Sequence, residues 1–269
     1  MLSKKVYLIL FSCLFIVIIS GLKLWADCLR GSGGGGGATD YTADANCVGA
    51  WYLNGTSGET DRSSNGEDLT LSGTMARETD VPGGYSGYSR NNTSSSANYL
   101  YADDGGSTDL SGADQNISIV GWFKIDNTSN DYYLVSKGNP VFEASYRVWF
   151  ESANQRIWAG LSIDGTSHTD AYGATTISTD TWYHVAVVYN DTDIRIYIDG
   201  SLDSNGSNNP KTYSSGLFDS SIVFRIGRSG SDYLVGNVDD VAVFSDALSA
   251  AEVAEIYTYG IDGANGGND

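Results

Sequence analysis

From Val48 onward, short apolar and aromatic runs alternate with clusters of Gly, Asn, Asp and Ser, a pattern that predicts strands separated by turns. The runs are Val48–Leu53, Leu69–Ser72, Asn98–Ala102, Ile117–Ile125, Tyr132–Lys137, Arg147–Glu151, Arg156–Ile163, Trp182–Tyr189, Ile194–Ile198, Ile222–Ile226 and Val238–Phe244. The pair Trp182–Tyr189 and Ile194–Ile198 reads as a hairpin turned by Asn190-Asp191-Thr192-Asp193. Strict alternation puts Ile194, Ile196 and Ile198 on its core face and Arg195 and Tyr197 on the other. One helix is predicted near the end. Ser249 followed by Glu252 forms a capping box, and Val253, Ile256 and Tyr257 recur at helical spacing. Many strands with a single short C-terminal helix predict an all-β sandwich or jelly roll and argue against an α/β enzyme.

The first residues follow a different pattern. Lys4 and Lys5 precede a 17-residue apolar run, Val6–Leu22, with a small residue at Ala26. This predicts an export signal over 1–26, with an uncleaved membrane anchor as the alternative. Residues 27–46 read as a linker, flexible through Gly31–Gly37. The domain is expected over 47–259, and 260–269 as a Gly/Asn/Asp-rich tail. Cys13 lies in the apolar run, leaving Cys28 and Cys47 either as a disulfide, permitted by export, or as two unpaired thiols.

Charge narrows the partners. The chain has 33 acidic and 15 basic residues, for a formal charge of −18, and the acids are 26 Asp against 7 Glu. Asp favours turns and loops, which suits a loop-rich β protein. A surface this acidic repels nucleic acid and anionic lipid, so neither is an expected partner. Any membrane contact is expected only through the N-terminal segment as a tether.

Four segments carry a family resemblance. Trp182-Tyr183-His184-Val185-Ala186 with Tyr197-Ile198-Asp199-Gly200 resembles the central hairpin of laminin-G-like, concanavalin A-like jelly-roll domains. Val238-Asp239-Asp240-Val241-Ala242-Val243-Phe244 followed by Ala247-Leu248-Ser249 is similar to their closing segment. Gly49-Ala50-Trp51-Tyr52-Leu53 with Asp61-Arg62-Ser63-Ser64-Asn65-Gly66 resembles their opening strand and loop, and Ile119-Val120-Gly121-Trp122-Phe123 their "W-F" strand. The matches occur in the family's order. The resemblance implies two packed antiparallel sheets, but not one activity, because this sandwich carries lectin-like, adhesive and hydrolytic members.

Asp61, Ser63 and Asn65 alternate before Gly66, a spacing that suits a hard cation, but the twelfth position is Ser72 and no helices flank it, so an EF-hand is excluded. The resemblance carries a Ca²⁺ site onto Asp61, Asn65 and Asp239. The alternative is that these residues shape a turn and a strand end. Catalysis has little support: the E-x-D-x-x-E strand of the fold's hydrolases is missing, and Glu143 and Glu151 stand eight apart. His184 shares the parity of Ala186 and Val188 and reads as a packed strand residue. Binding is better served, with 18 Tyr and 6 Trp available for contact with sugars. Trp149 and Trp158 fall on neighbouring strands, close in sequence to Tyr146, Arg147 and Arg156, either as ligand contacts or as inter-sheet core. Arg195 and Tyr197 join them if their face is the binding face. The expected function is a secreted or surface module that binds a glycan, or alternatively an extracellular protein, with a polysaccharide-degrading enzyme as the least favoured reading.

Overall fold

The computed structural model describes residues 38–93, 97–103, 110, 116–139 and 142–264. The expected export segment 1–26, the Gly31–Gly37 tether and Cys28 lie outside the described residues. In chain order the strands are β1 (Cys47–Trp51), β2 (Gly58–Glu59), β3 (Leu69–Ser72), β4 (Ala76–Glu78), β5 (Ser89–Asn92), β6 (Tyr99–Ala102), β7 (Asn116–Ile125), β8 (Tyr132–Asn139), β9 (Phe142–Glu151), β10 (Arg156–Ser162), β11 (His168–Tyr172), β12 (Trp182–Asn190), β13 (Asp193–Ile198), β14 (Ser201–Leu202), β15 (Lys211–Thr212), β16 (Phe224–Ile226), β17 (Arg228–Ser229), β18 (Asp232–Tyr233) and β19 (Gly236–Phe244). One helix, α1 (Ala250–Tyr259), follows them.

Seventeen of these strands form two large antiparallel sheets, and β17 and β18 pair separately as a short hairpin. The first has the order β14-β13-β12-β7-β19-β5-β4, with β1 also on β19 and β15 on β13; the second runs β11-β10-β9-β8-β16-β6-β3-β2. Alternation sorts each strand between two layers. Val185, Val187, Ile194, Ile196, Ile198, Ile117 and Ile119 of the first sheet meet Tyr146, Val148, Phe150, Ile157, Leu161, Phe224 and Ile226 of the second in the inter-sheet core. Trp51 is its largest fully buried side chain, stacked on Phe224 at 5.3 Å, with its indole N–H donating to the Glu67 carbonyl at 2.8 Å. A second apolar layer lies on the other face of the first sheet. There Val120, Ala186, Val188, Tyr197, Ala242 and Phe244 pack with Val253 and Ile256 of α1.

The capping box forms as the sequence predicts: the Glu252 N–H donates to Ser249 Oγ at 3.2 Å and the Ser249 N–H to Glu252 Oε2 at 2.7 Å. The hairpin turn is also held by its own chemistry. Asn190 Oδ1 accepts from the N–H groups of Thr192 and Asp193, and Asp191 takes a positive φ of 65°.

Packing extends past both expected domain edges. The Tyr41 N–H donates to the Ile261 carbonyl at 2.8 Å, and Thr39 and the Tyr41 hydroxyl both bind the Glu255 carboxylate of α1. Residues 38–46 and 260–264, read as linker and tail, therefore seal the helix side. Cys47 is a buried free thiol, its acidity suppressed to about 12 chiefly by burial.

Among the strands that escaped the apolar pattern, two did so for plain physical reasons. β5 reads Ser-Arg-Asn-Asn, yet all four residues are buried, because most of their polar groups find partners. Arg90 Nε binds Glu59 at 2.6 Å, and Asn91 and Asn92 donate to Asn237 Oδ1 and the Leu234 carbonyl. β11 sends only Ala171 into the core.

Candidate functional site

The outer face of the second sheet gathers most of the chain's unassigned chemistry. On β9, Tyr146, Val148 and Phe150 point into the core, so Arg147, Trp149 and Glu151 point out. On β10, Ile157, Ala159 and Leu161 point in, and Arg156, Trp158 and Gly160 point out. Register then aligns one residue per strand. Tyr133 of β8 lies opposite Trp149 of β9, Trp149 opposite Trp158 of β10, and Trp158 opposite Tyr172 of β11. Their ring centroids are 6.0, 5.6 and 4.3 Å apart, a continuous aromatic row across four strands. Trp149 and Tyr133 keep 7 and 9% exposure, whereas Trp158 and Tyr172 are half-buried. The indole N–H of Trp158 is buried without a partner among the described residues.

A polar row runs beside it. Across the sheet Tyr101, Arg225, Ser136, Arg147, Gly160 and Asp170 occupy successive cross-strand positions on β6, β16, β8, β9, β10 and β11. Arg147 reaches over Gly160 to Asp170, with Nη2 3.3 Å from Oδ1, and its guanidinium lies 4.7 Å from the Trp149 ring centre. Gly160 is required beneath this ion pair. A Cβ built there falls 2.4 Å from Asp170 Oδ1 and 2.9 Å from Arg147 Nε. His168 sits beside the pair, its pKa lowered first by burial and then by the Arg147 charge, so it is neutral at pH 7. At the other end of the face, Arg228 lies 4.6 Å over Tyr99 and 5.2 Å over Tyr233. Asp131 and Asp232 supply negative charge near Tyr133, whose hydroxyl pKa is raised mainly by burial.

The four residues expected to contact ligand are divided between faces. Trp149 and Trp158 come together on the outer face of the second sheet. Tyr197 does not join them: it is buried at 3% exposure under α1 and the N-terminal segment, on the outer face of the first sheet. Arg195 shares that sheet and pairs with Asp193 at 3.1 Å. The helix covers this face, which alternation alone cannot reveal. Tyr146 turns inward, its hydroxyl donating to the Leu110 carbonyl at 2.6 Å. The residues missed by the sequence reading are Tyr133, Tyr172, Gly160, Asp170, Arg225 and Arg228. Their signal was the out-facing parity of Arg147-x-Trp149 and Arg156-x-Trp158, which places arginine and aromatic residues on one face.

Asp61, Asn65 and Asp239 do not fit a calcium ion as folded. The Asp61 carboxylate accepts from the N–H groups of Ala50, Ser63, Gly66 and Glu67 and from the Ser63 hydroxyl, all within 3.0 Å. These donors hold the loop shut and turn positive hydrogens toward the oxygens a cation would need. The Asn65 amide donates to the Cys47 carbonyl at 2.7 Å, tying the loop to β1. Asp239 is buried in β19 at 3% exposure, and burial together with Asp240 holds its carboxyl well above the usual range. Among the described residues, no group of three or more His, Cys, Asp and Glu side chains is placed to hold a metal.

The Asp239-Asp240 step is a bulge against β7, with Asp240 at φ 48°. Asp240 accepts from the Ile261 N–H at 3.3 Å, and burial pushes its pKa up to about 7. His184 packs at 5.3 Å against Trp122 and at 5.8 Å against Tyr257. Full burial drives its pKa down to about 3. Both groups lie beneath the helix side, where they serve packing rather than solvent chemistry.

A family profile for the laminin G-type domains of the concanavalin A-like lectin/glucanase superfamily matches residues 94–254. Adhesion G-protein coupled receptor V1 of Danio rerio is 25% identical over 148 residues, 53% of this chain and 2% of that receptor. Among solved structures, the binding domain of Paraclostridial Mosquitocidal Protein 1 superposes with a TM-score of 0.62 at 15% identity, covering 79% of this chain and 52% of that one. The receptor binding domain of botulinum neurotoxin D gives 0.61 at 15% identity, covering 82% and 53%. The chain thus spans about half the length of these structures and a small part of the receptor, and the structural likeness speaks for fold. The fold, the ordered motifs and the profile agree: this chain belongs to the laminin G-type family of the concanavalin A-like lectin/glucanase superfamily.

Proposed function

We propose that the chain is an extracellular or cell-surface binding module that takes a glycan on the outer face of its second sheet. The observation that carries this reading is the aromatic row Tyr133-Trp149-Trp158-Tyr172 beside Arg147, Asp170 and Arg225. Aromatic rings next to fixed donors and acceptors are what a sugar's alternating C–H and O–H groups require. The buried N–H of Trp158 and the Nε of Arg156 are hydrogen-bonding capacity that no described residue uses. Neighbours in fold support the class: one toxin binding domain is solved with N-acetylneuraminic acid.

The test is thermal melting of the full chain across a polysaccharide panel. A ligand that binds only the folded state raises Tm by mass action. At least one glycan is expected to raise Tm in the parent protein and not in Trp158→Ala. Equal shifts in both proteins would remove the aromatic row from the site.

A second reading, adhesion to a protein partner, has its own observation. Phe142 and Ile163, at the same end of β9 and β10, are 53 and 49% exposed. The zebrafish relative is an adhesion receptor, and one toxin neighbour is solved with rat synaptotagmin II. Retention of a cell-surface protein that is lost in Phe142→Ser and insensitive to added sugar would favour it.

A further inference from the structure

Arg225 and Arg228 form a cationic pair that no described residue neutralises. Arg225 points outward between Ser136 and Tyr101, because Phe224 and Ile226 on either side are core residues. One guanidinium nitrogen, Nη1, donates to the Gly138 carbonyl at 3.2 Å, while Nε is buried with no partner among the described residues. Arg228 uses Nε on the Gly230 carbonyl at 2.9 Å and rests over Tyr99 and Tyr233. Among the described residues neither arginine has an acidic ion-pair partner. Burial lowers the pKa of Arg225 first, and the positive charge of Arg228 lowers it further. In a chain with 33 acids and 15 bases, two adjacent arginines without a carboxylate are an uncompensated local charge.

We propose that Arg225 and Arg228 receive the carboxylate of an acidic, uronate-bearing polysaccharide whose sugar rings lie along the adjacent aromatic row. This rests on the glycan reading of the face and specifies the class of sugar. Arg225 lies two strands from Trp149, about 10 Å, so one extended chain can touch both. A guanidinium is planar and presents paired N–H groups, matching a carboxylate. The tyrosines around Arg228 hold its plane in place and limit the rotamer freedom lost on binding.

The experiment is titration of the full chain with polygalacturonate, dextran sulfate and uncharged dextran at physiological ionic strength. Parent, Arg225→Gln, Arg228→Gln, Arg228→Lys and Trp158→Ala proteins are compared, with unchanged Tm confirming that each is folded. Polygalacturonate is expected to bind the parent most tightly. Each glutamine variant should weaken it by about tenfold to a hundredfold, the loss of one or two charge-assisted hydrogen bonds. Arg228→Lys, which keeps the charge, should retain part of the affinity, and Trp158→Ala should lose binding too. Polygalacturonate binding that both glutamine variants retain overturns the inference, as does stronger, arginine-dependent binding of the sulfated polymer. Dextran bound as tightly as polygalacturonate, and lost only in Trp158→Ala, sinks the acidic-sugar assignment and leaves the glycan reading standing. No binding to any of the three overturns both.

Discussion

Asp61 and Asp240 show how one residue type serves opposite ends in this chain. Asp61 is a carboxylate surrounded by donors, and its function is to close the loop between β2 and β3. Asp61→Ala leaves four backbone N–H groups unpaired and is expected to cost about 2–4 kcal/mol. The loss should be the same in excess calcium and in chelator; a calcium-dependent difference would restore a metal to this loop. Asp240 is an acid buried with too few donors. Its pKa is about 7 in the folded chain and near 4 when unfolded, so the folded state holds the extra proton between these values. Its contribution to stability is therefore full below about pH 4, is lost as pH rises through 7, and stays lost above. Asp240→Asn still accepts from the Ile261 N–H and removes the charge. It should stabilise the protein at pH 8 by on the order of 2–4 kcal/mol and change little at pH 4. His184 acts in the opposite sense, losing its contribution as pH falls from 6.5 toward 3. The variant-minus-parent difference isolates Asp240. An equal gain at both pH values would mean that folding does not raise the Asp240 pKa.

At the scale of elements, the candidate face depends on four strands keeping register. A one-residue slip of β10 would send Trp158 inward and Ile157 out. Gly160 contributes by omission, since its missing side chain lets Arg147 cross to Asp170. Gly160→Ala should displace that pair and weaken glycan binding severalfold. Its stability cost should stay near 1 kcal/mol, because the displaced groups are flexible and partly solvated. Titration and melting of the same variant separate the two effects. Loss of both together would show that Gly160 serves folding rather than the site.

Across the whole molecule, the Arg90–Glu59 pair joins the sheets. Glu59 sits on β2 at the end of the second sheet and Arg90 on β5 near the end of the first. Both side chains are within 3% of full burial. Burial raises the pKa of Glu59, while Arg90 and the Gly55 N–H pull it back. Glu59→Ala strands the Arg90 charge between sheets and is expected to cost about 3–5 kcal/mol, whereas replacing both by apolar residues should cost much less. If the double variant is as unstable as the single, the clamp is steric rather than electrostatic.

The alternation of apolar residues, the Asn190–Asp193 turn and the Ser249–Glu252 box were legible in the sequence, because each is a local rule satisfied by neighbours in the chain. The two-layer, all-β class followed from them, and so did the parity of Trp149 and Trp158. What covers each face was not legible, since burial is decided by elements distant in sequence. Residues 38–46, α1 and Ile261 seal one side of the first sheet, and that placement buries Tyr197. The strand Ser89–Asn92 was invisible for the same reason: its partners Glu59, Asn237 and Leu234 lie far away along the chain. The aromatic row is likewise a product of register, assembled from four strands, none of which announces the others. Local patterning determined which residues point together within a strand; tertiary packing alone decided which of those faces is core, which is covered, and which is open to a ligand.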